Sequence, residues 1–213
     1  MTLTVLTDGN SGNPVFVLAH GAGADCRSDF MTEMAGMLSA QGLYVVRFNF
    51  PYMLKREQDG KKRPPDRAPV LLQYYADLIR ELDRPCVIGG KSMGGRMASL
   101  LANDEEQRSL FSPLIRGCAC LGYPFHPPGK PDRLRTEHLK ALNVPTLIAQ
   151  GTRDTMGTRE EIEGYGLDGA LQLHWLEDGN HDLKPRKASG FTHQQHMEST
   201  AVAVAEFVKD IVG

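Results

Sequence analysis

Ser92 sits at the centre of Gly90-Lys91-Ser92-Met93-Gly94, a G-x-S-x-G pentapeptide. On a tight strand-to-helix turn this pattern holds a serine in a strained backbone with its hydroxyl clear of the sheet. The flanking glycines are needed because a Cβ at either would collide with the neighbouring backbone. A hydroxyl presented in this way can serve as a nucleophile once a base relieves it of its proton. Five loosely constrained positions recur by chance, and most glycine-flanked serines merely make turns. Here the context agrees with the motif. Cys86 to Gly89 reads as a short buried strand, and Met93, Met97, Leu100 and Leu101 follow at helical spacing.

A serine nucleophile needs a base, and histidine suits the task because its pKa lies near neutrality. Seven histidines compete. In doubly wound sheets the reacting groups gather beyond the carboxyl ends of the strands. His181 meets that condition, following an apolar run that ends at Glu177-Asp178-Gly179-Asn180. His126 is its nearest rival but lies among Pro124, Pro127 and Pro128, which suits a pocket wall or a structural role. His174 falls inside a strand, His138 on a helix, and His193 and His196 in a polar stretch before the last helix. His20 reads as a loop organiser. The imidazolium formed during attack needs a carboxylate partner. Asp154 follows a strand directly, whereas Asp178 and Asp182 read as turn caps. The oxyanion of a tetrahedral intermediate calls for backbone donors. Met93 supplies one, and the Gly21-Ala22-Gly23 turn the other, from Ala22 or from Gly21.

Nucleotide readings of the same glycines fail. A P-loop ending in Gly90-Lys91-Ser92 requires glycine where Pro85 stands, and a dinucleotide fingerprint at Gly21 requires one at Cys26. Cys118 and Cys120 alternate on a strand and read as core residues; Cys86 lies in an apolar run, and Cys26 in a loop before a helix. No C-x-x-C pair or other metal-ligand spacing occurs, so no cofactor or metal is expected.

The elements that position these residues alternate. Val15 to Ala19, Tyr44 to Phe48, Cys86 to Gly89, Gly117 to Leu121 and Thr146 to Gln150 are apolar runs of strand length, and Leu171 to Leu176 a last strand. A short segment near the N-terminus reads as an edge strand. Helical spacing links Phe30, Met34, Met37 and Leu38, with Ser28 or Asp29 as cap and Gly42 as stop. It also links Leu71, Tyr74, Tyr75, Leu78 and Leu82. The last helix places Ala201, Val204, Ala205, Val208, Ile211 and Val212 on one face. Between Asn49 and Pro69 the basic, proline-containing stretch is expected to be a solvated loop. Strand and helix in alternation imply a doubly wound, mainly parallel α/β sheet with helices on both faces.

Length and charge set the outer bounds. At 213 residues with a net charge of -2, the chain fits one domain, with no overall pull towards nucleic acid or membrane. No apolar run is long enough to span a bilayer and the first residues lack a signal-peptide pattern, so a soluble cytoplasmic protein is expected. Lys91 and Arg96 flank Ser92, Lys130 lies after the fourth strand, and Lys184, Arg186 and Lys187 follow His181. Two readings stand for them: ordinary solvated charge, or a cationic rim drawing an anionic substrate.

With Ser92, Asp154 and His181 in that chain order and His20-Gly21-Ala22-Gly23 before them, the sequence resembles the α/β-hydrolase superfamily, near its dienelactone-hydrolase-like branch. More narrowly it is similar to small bacterial α/β-hydrolase-like proteins related to the hydrolase-like domain of an animal nuclear chromatin-complex subunit. Arg47-Phe48-Asn49-Phe50-Pro51-Tyr52, Gly89 to Arg96 and Gly122 to Lys130 carry that likeness. The resemblance implies a compact hydrolase fold spanning residues 1–213, with nucleophile, acid and base at Ser92, Asp154 and His181. No insertion is long enough to form a large lid. A serine hydrolase acting on a small acyl substrate is the expected function. A non-catalytic interaction domain on the same fold is the second class.

Overall fold

The computed structural model describes residues 4–107, 110 and 113–213. One seven-stranded sheet runs in the order β1-β3-β2-β4-β5-β6-β7. It is built from β1 (Val5–Asp8), β2 (Val15–Ala19), β3 (Tyr44–Phe48), β4 (Cys86–Lys91), β5 (Ile115–Leu121), β6 (Thr146–Gly151) and β7 (Gln172–Leu176). Only β1 is antiparallel, paired with β3 at the edge. There the carboxylate of Asp8 meets the buried guanidinium of Arg47 at 2.9 Å. The strands β2, β4 and β6 are buried along their whole length. A parallel strand covered on both faces cannot alternate polar and apolar residues, which is why these segments read as continuous hydrophobic runs.

Helices cover both faces. On one, α1 (Asp29–Ala40) and α6 (His193–Val212) set Met31, Met34, Leu38, Val204 and Val208 against Phe16, Leu18 and Val87. On the other, α3 (Ala68–Leu82) and α4 (Met93–Asn103) set Leu72, Tyr75, Met97 and Leu101 against Val17, Ile88 and Cys118. Tyr75 is fully buried, and its hydroxyl lies 2.9 Å from the Val17 carbonyl and 2.8 Å from that of Gly89. It also accepts the Gly89 N–H at 3.1 Å. A side chain from α3 thus clasps β2 to β4, the two central strands between which the chain reverses its direction of winding. Crevices at such a reversal are where doubly wound folds bind ligands.

The stretch after β3 departs from the expectation of a solvated loop. Pro51–Asp59 is a helix, α2, with Pro51 in its first turn and Gly60 in the left-handed conformation at its end. Proline costs nothing at a helix start because the first N–H groups have no helical acceptor. Tyr52 and Met53 bury one side while the charged residues face water, and residues 60–67 beyond the helix lack regular structure. The last helix also starts earlier than expected. Thr192 caps it through a reciprocal pair with Gln195, which brings His193 and His196 into its first turns. Between β6 and β7 the only helix is the five-residue α5 (Arg159–Glu163), too short to build a large helical lid. No helix among the described residues is long and apolar enough to cross a membrane.

Candidate active site

Ser92 occupies the one-residue turn between β4 and α4 with φ 51° and ψ -114°, a left-handed backbone that a side-chain-bearing residue adopts only under strain. Its N–H donates to the Leu121 carbonyl at 3.0 Å, which ties the turn to β5. The two glycines of the motif make room for it. A Cβ on Gly90 would lie 2.4 Å from the Ala19 carbonyl oxygen, and one on Gly94 2.6 Å from that of His20. Strand β2, the turn after it and the start of α4 can approach this closely only without those side chains.

The three residues placed by sequence at separate strand ends meet here. His181 Nε2 lies 2.8 Å from Ser92 Oγ, and His181 Nδ1 2.7 Å from Asp154 Oδ2. An ionised carboxylate only accepts, so Nδ1 carries the imidazole proton and Nε2 presents its lone pair to the serine hydroxyl. Asp154 is fully buried and also accepts from the Met156 N–H at 2.8 Å and from Gln150 Nε2 at 3.0 Å. These donors fix its orientation. Asp178 and Asp182 are occupied elsewhere. Asp178 holds the Arg186 side chain, and Asp182 lies 3.3 Å from Lys91 Nζ.

Lys91 lines the pocket beside Ser92 but is turned inward, not part of a solvated cationic rim. It is 7 % exposed, and its ammonium donates to the His181 carbonyl at 2.7 Å, linking the residue before Ser92 to the loop that carries His181. Gly122 makes the approach possible, since a Cβ there would meet the His181 carbonyl oxygen at 2.6 Å. Burial lowers the Lys91 pKa, and the Asp182 carboxylate opposes that shift.

The turn after β2 is built by side chains that face each other across the crevice. His20 is fully buried, and its Nε2 accepts the Phe50 N–H at 3.1 Å, so its Nδ1 carries the proton donated to the Gly21 carbonyl at 2.6 Å. Burial holds its pKa below the usual histidine value, which keeps it neutral for this bonding pattern. The Tyr52 hydroxyl lies 3.0 Å from the Ala22 carbonyl. With the Gly21 and Ala22 carbonyls engaged in this way, Gly21, Ala22 and Gly23 join Ser92 and His181 around a pocket of about 300 Å³, closed on the side of α1 by Phe30 and Met31. The N–H groups of Ala22 and Met93 donate to no protein acceptor among the described residues.

Four residues with an expected binding role are not placed in this pocket. His126 is buried, bonded through Nδ1 to the Pro127 carbonyl at 3.0 Å and 3.6 Å from Glu161, and does not line it. Its prolines turn it inward. Arg186 is held by Asp178, and Lys184 and Lys187 are exposed outside the pocket. Of the remaining histidines, His138 bonds Ser99 at 2.9 Å, His174 bonds Ser199 at 2.9 Å and His196 bonds the Leu183 carbonyl at 2.8 Å. Cys118 and Cys120 share one buried face with their sulfurs 3.7 Å apart. Burial raises the Cys26 thiol pKa, the opposite of what a reactive thiol needs.

Sequence reasoning missed Gln150, Tyr52 and the inward turn of Lys91. Gln150 had a visible signal, a lone amide closing an otherwise apolar strand. It is fully buried, where it also accepts the Tyr123 N–H at 2.8 Å.

Comparison with known proteins agrees with this geometry. A family model described as alpha/beta hydrolase domain matches residues 12–209. No curated protein sequence matches the chain. Among solved structures, the monoacylglycerol lipase of Paleococcus ferrophilus is similar, with TM-score 0.68, 15% identity and 99% of both chains covered. The dienelactone hydrolase of Anabaena variabilis gives 0.67 and 17%, covering 100% of this chain and 94% of that one. Est1E of Butyrivibrio proteoclasticus, solved with ferulic acid, gives 0.67 and 16%, covering 99% and 95%. At such identities the likeness is one of fold. The strand order, the serine turn between β4 and α4 and the family match over nearly the whole length agree, and the chain belongs to the alpha/beta hydrolase family.

Proposed function

We propose that the protein is a serine hydrolase that cleaves an ester, thioester or related acyl bond of a small molecule by way of an acyl-enzyme on Ser92. The observation that carries this reading is the unbroken hydrogen-bond chain from Asp154 through His181 to Ser92, at 2.7 and 2.8 Å. In the first half-reaction the Ser92 oxygen attacks the acyl carbon and its proton passes to His181 Nε2. The carbonyl electron pair moves onto oxygen, where the N–H groups of Met93 and Ala22 receive it. Asp154 stabilises the imidazolium, which then protonates the departing alkoxide or thiolate as the carbon–leaving-group bond breaks. Water completes the cycle. It attacks the acyl carbon, gives its proton to His181, and the acid leaves as the proton returns to Ser92.

A panel of p-nitrophenyl esters, acyl thioesters and lactones tests the reading against the Ser92→Ala variant. At least one class should be turned over by the unaltered chain, and the substitution should lower kcat by roughly four powers of ten or more. Equal rates for the two proteins would overturn it.

A further inference from the structure

Acyl transfer leaves two positive charges without a task, one of them a helical turn from Ser92. Arg96 stands one helical turn beyond Ser92 on α4. Arg135 belongs to the segment after β5, where its carbonyl accepts the Tyr123 hydroxyl at 2.9 Å and its N–H donates to the Phe125 carbonyl at 2.8 Å. The two segments are stitched together between these arginines. Ser99, whose hydroxyl donates to the Arg96 carbonyl at 3.0 Å, also bonds His138 Nε2 at 2.9 Å, and the Tyr123 hydroxyl lies 3.4 Å from the same nitrogen.

Neither guanidinium has a carboxylate partner within 4.0 Å among the described residues. That distinguishes them from Arg47, Lys91 and Arg186, which are paired with Asp8, Asp182 and Asp178. Arg96 and Arg135 are both half-buried. Burial and then the charge of Arg96 lower the pKa of Arg135, and the same two causes push His138 down to about 4. The charge of Arg96 is therefore felt by both neighbours. Arg96 Nε is buried with no hydrogen-bond partner, and so is the hydroxyl of Thr136, next to Arg135 in the chain and fully buried. Two like charges on segments joined through Ser99, His138 and Tyr123, one of them with an orphaned donor, raise the free energy of the empty protein, and one oxyanion would relieve both the repulsion and the missing bond. Guanidinium is suited to this because its planar fork matches carboxylate and phosphate oxygens. The place is also separate from the Ser92 pocket wall. Phe30 and Met31 come from the helix on one face of the sheet, and Arg96 from the helix on the other.

We propose that Arg96 and Arg135 form an anion subsite next to Ser92 that holds a carboxylate or phosphate group carried by the acyl substrate. This deepens the acyl-transfer reading and rests on it for the identity of the ligand as substrate. Substrate charge is thus recognised at the start of α4, and not by the lysines that follow the base.

Calorimetric titration of the Ser92→Ala protein with inorganic phosphate, and separately with succinate, tests the site without turnover. At least one anion should bind, phosphate alone pointing to a phosphorylated substrate and succinate alone to a carboxylated one. Adding Arg96→Gln or Arg135→Gln should weaken that binding by about tenfold or more, with Arg96→Lys retaining part of it. Thermal melts establish which variants are folded, and either glutamine variant suffices. In the catalytically intact chain, the preference in kcat/KM for p-nitrophenyl hemisuccinate over p-nitrophenyl valerate should fall by about tenfold with either substitution. Binding of neither anion, or binding and preference unaltered by both substitutions, overturns the proposal. A chain that binds the anion but hydrolyses no acyl substrate would keep the subsite and remove the acyl-transfer reading; hydrolysis without anion binding would do the reverse.

Discussion

Lys91 occupies the variable position just before Ser92, where a side chain can point outward or be drawn in. Here it is drawn in, and its hydrogen bond to the His181 carbonyl spans 90 residues of sequence. A hydrogen bond from a charged donor contributes about 1.5–3 kcal/mol, and a base displaced by a fraction of an ångström costs orders of magnitude in rate. Lys91→Met, which keeps length and removes the donor, should therefore lower kcat by about 10- to 100-fold with little change in KM. Steady-state kinetics reads this directly, and an unchanged kcat would assign Lys91 to packing alone. Ser92, Asp154 and His181 were legible in the sequence because each follows an apolar run of strand length, so position alone placed them at one sheet edge. Lys91, Tyr52 and Gln150 were not placed by the same reasoning. Their roles depend on which backbone groups lie opposite them in space, and periodicity carries no such information. His126 misled for the same reason, since a histidine after a strand is placed at the right edge whether it faces the pocket or Glu161.

The segment from β7 to α6 presents His181, and its shape depends on charge as much as on packing. Asp178 takes a left-handed backbone at φ 56° and accepts from the Arg186 side chain and from its N–H at 2.7 Å, while Asn180 Oδ1 accepts the N–H groups of Asp182 and Lys184. The Arg186 hydrogen bonds hold the Asp178 carboxyl at a pKa of about 2. The unfolded value is about 3.9, so the folded pKa is depressed and the stabilisation is complete above the unfolded value. It fades as pH falls through the folded one. The difference in melting temperature between the unaltered chain and Asp178→Asn should therefore be largest above about pH 5 and shrink towards about pH 2. A difference independent of pH would show that the loop does not draw stability from this carboxylate. Helix α2 shows the limit of composition as a guide to elements. Lys55 and Arg56, running into the basic, proline-containing residues after them, made the segment look like a loop, whereas the burial of Tyr52 and Met53 and the proline at its start are what form the helix.

At the scale of the molecule, the sheet was the most legible feature. Five apolar runs separated by helical spacing imply parallel strands covered on both faces, and the seven-stranded order follows that plan with one antiparallel edge. Strand order itself was not legible, because residues such as Tyr75 that bind β2 to β4 declare themselves only through the carbonyls they reach. That central pairing places the turn after β2 beside the turn after β4, and the loops after β6 and β7 then bring Asp154 and His181 to the same edge. The claim that unites these levels is that the edge activates Ser92 as a nucleophile. Reaction with a fluorophosphonate, followed by peptide mass spectrometry, tests it most directly, since such a reagent needs both an activated hydroxyl and donors for a tetrahedral oxyanion. A single adduct on Ser92, lost on heat denaturation and reduced by roughly a hundredfold or more in rate by His181→Ala, is the expected result. No adduct, an adduct on another residue, or labelling that persists in His181→Ala would contradict it.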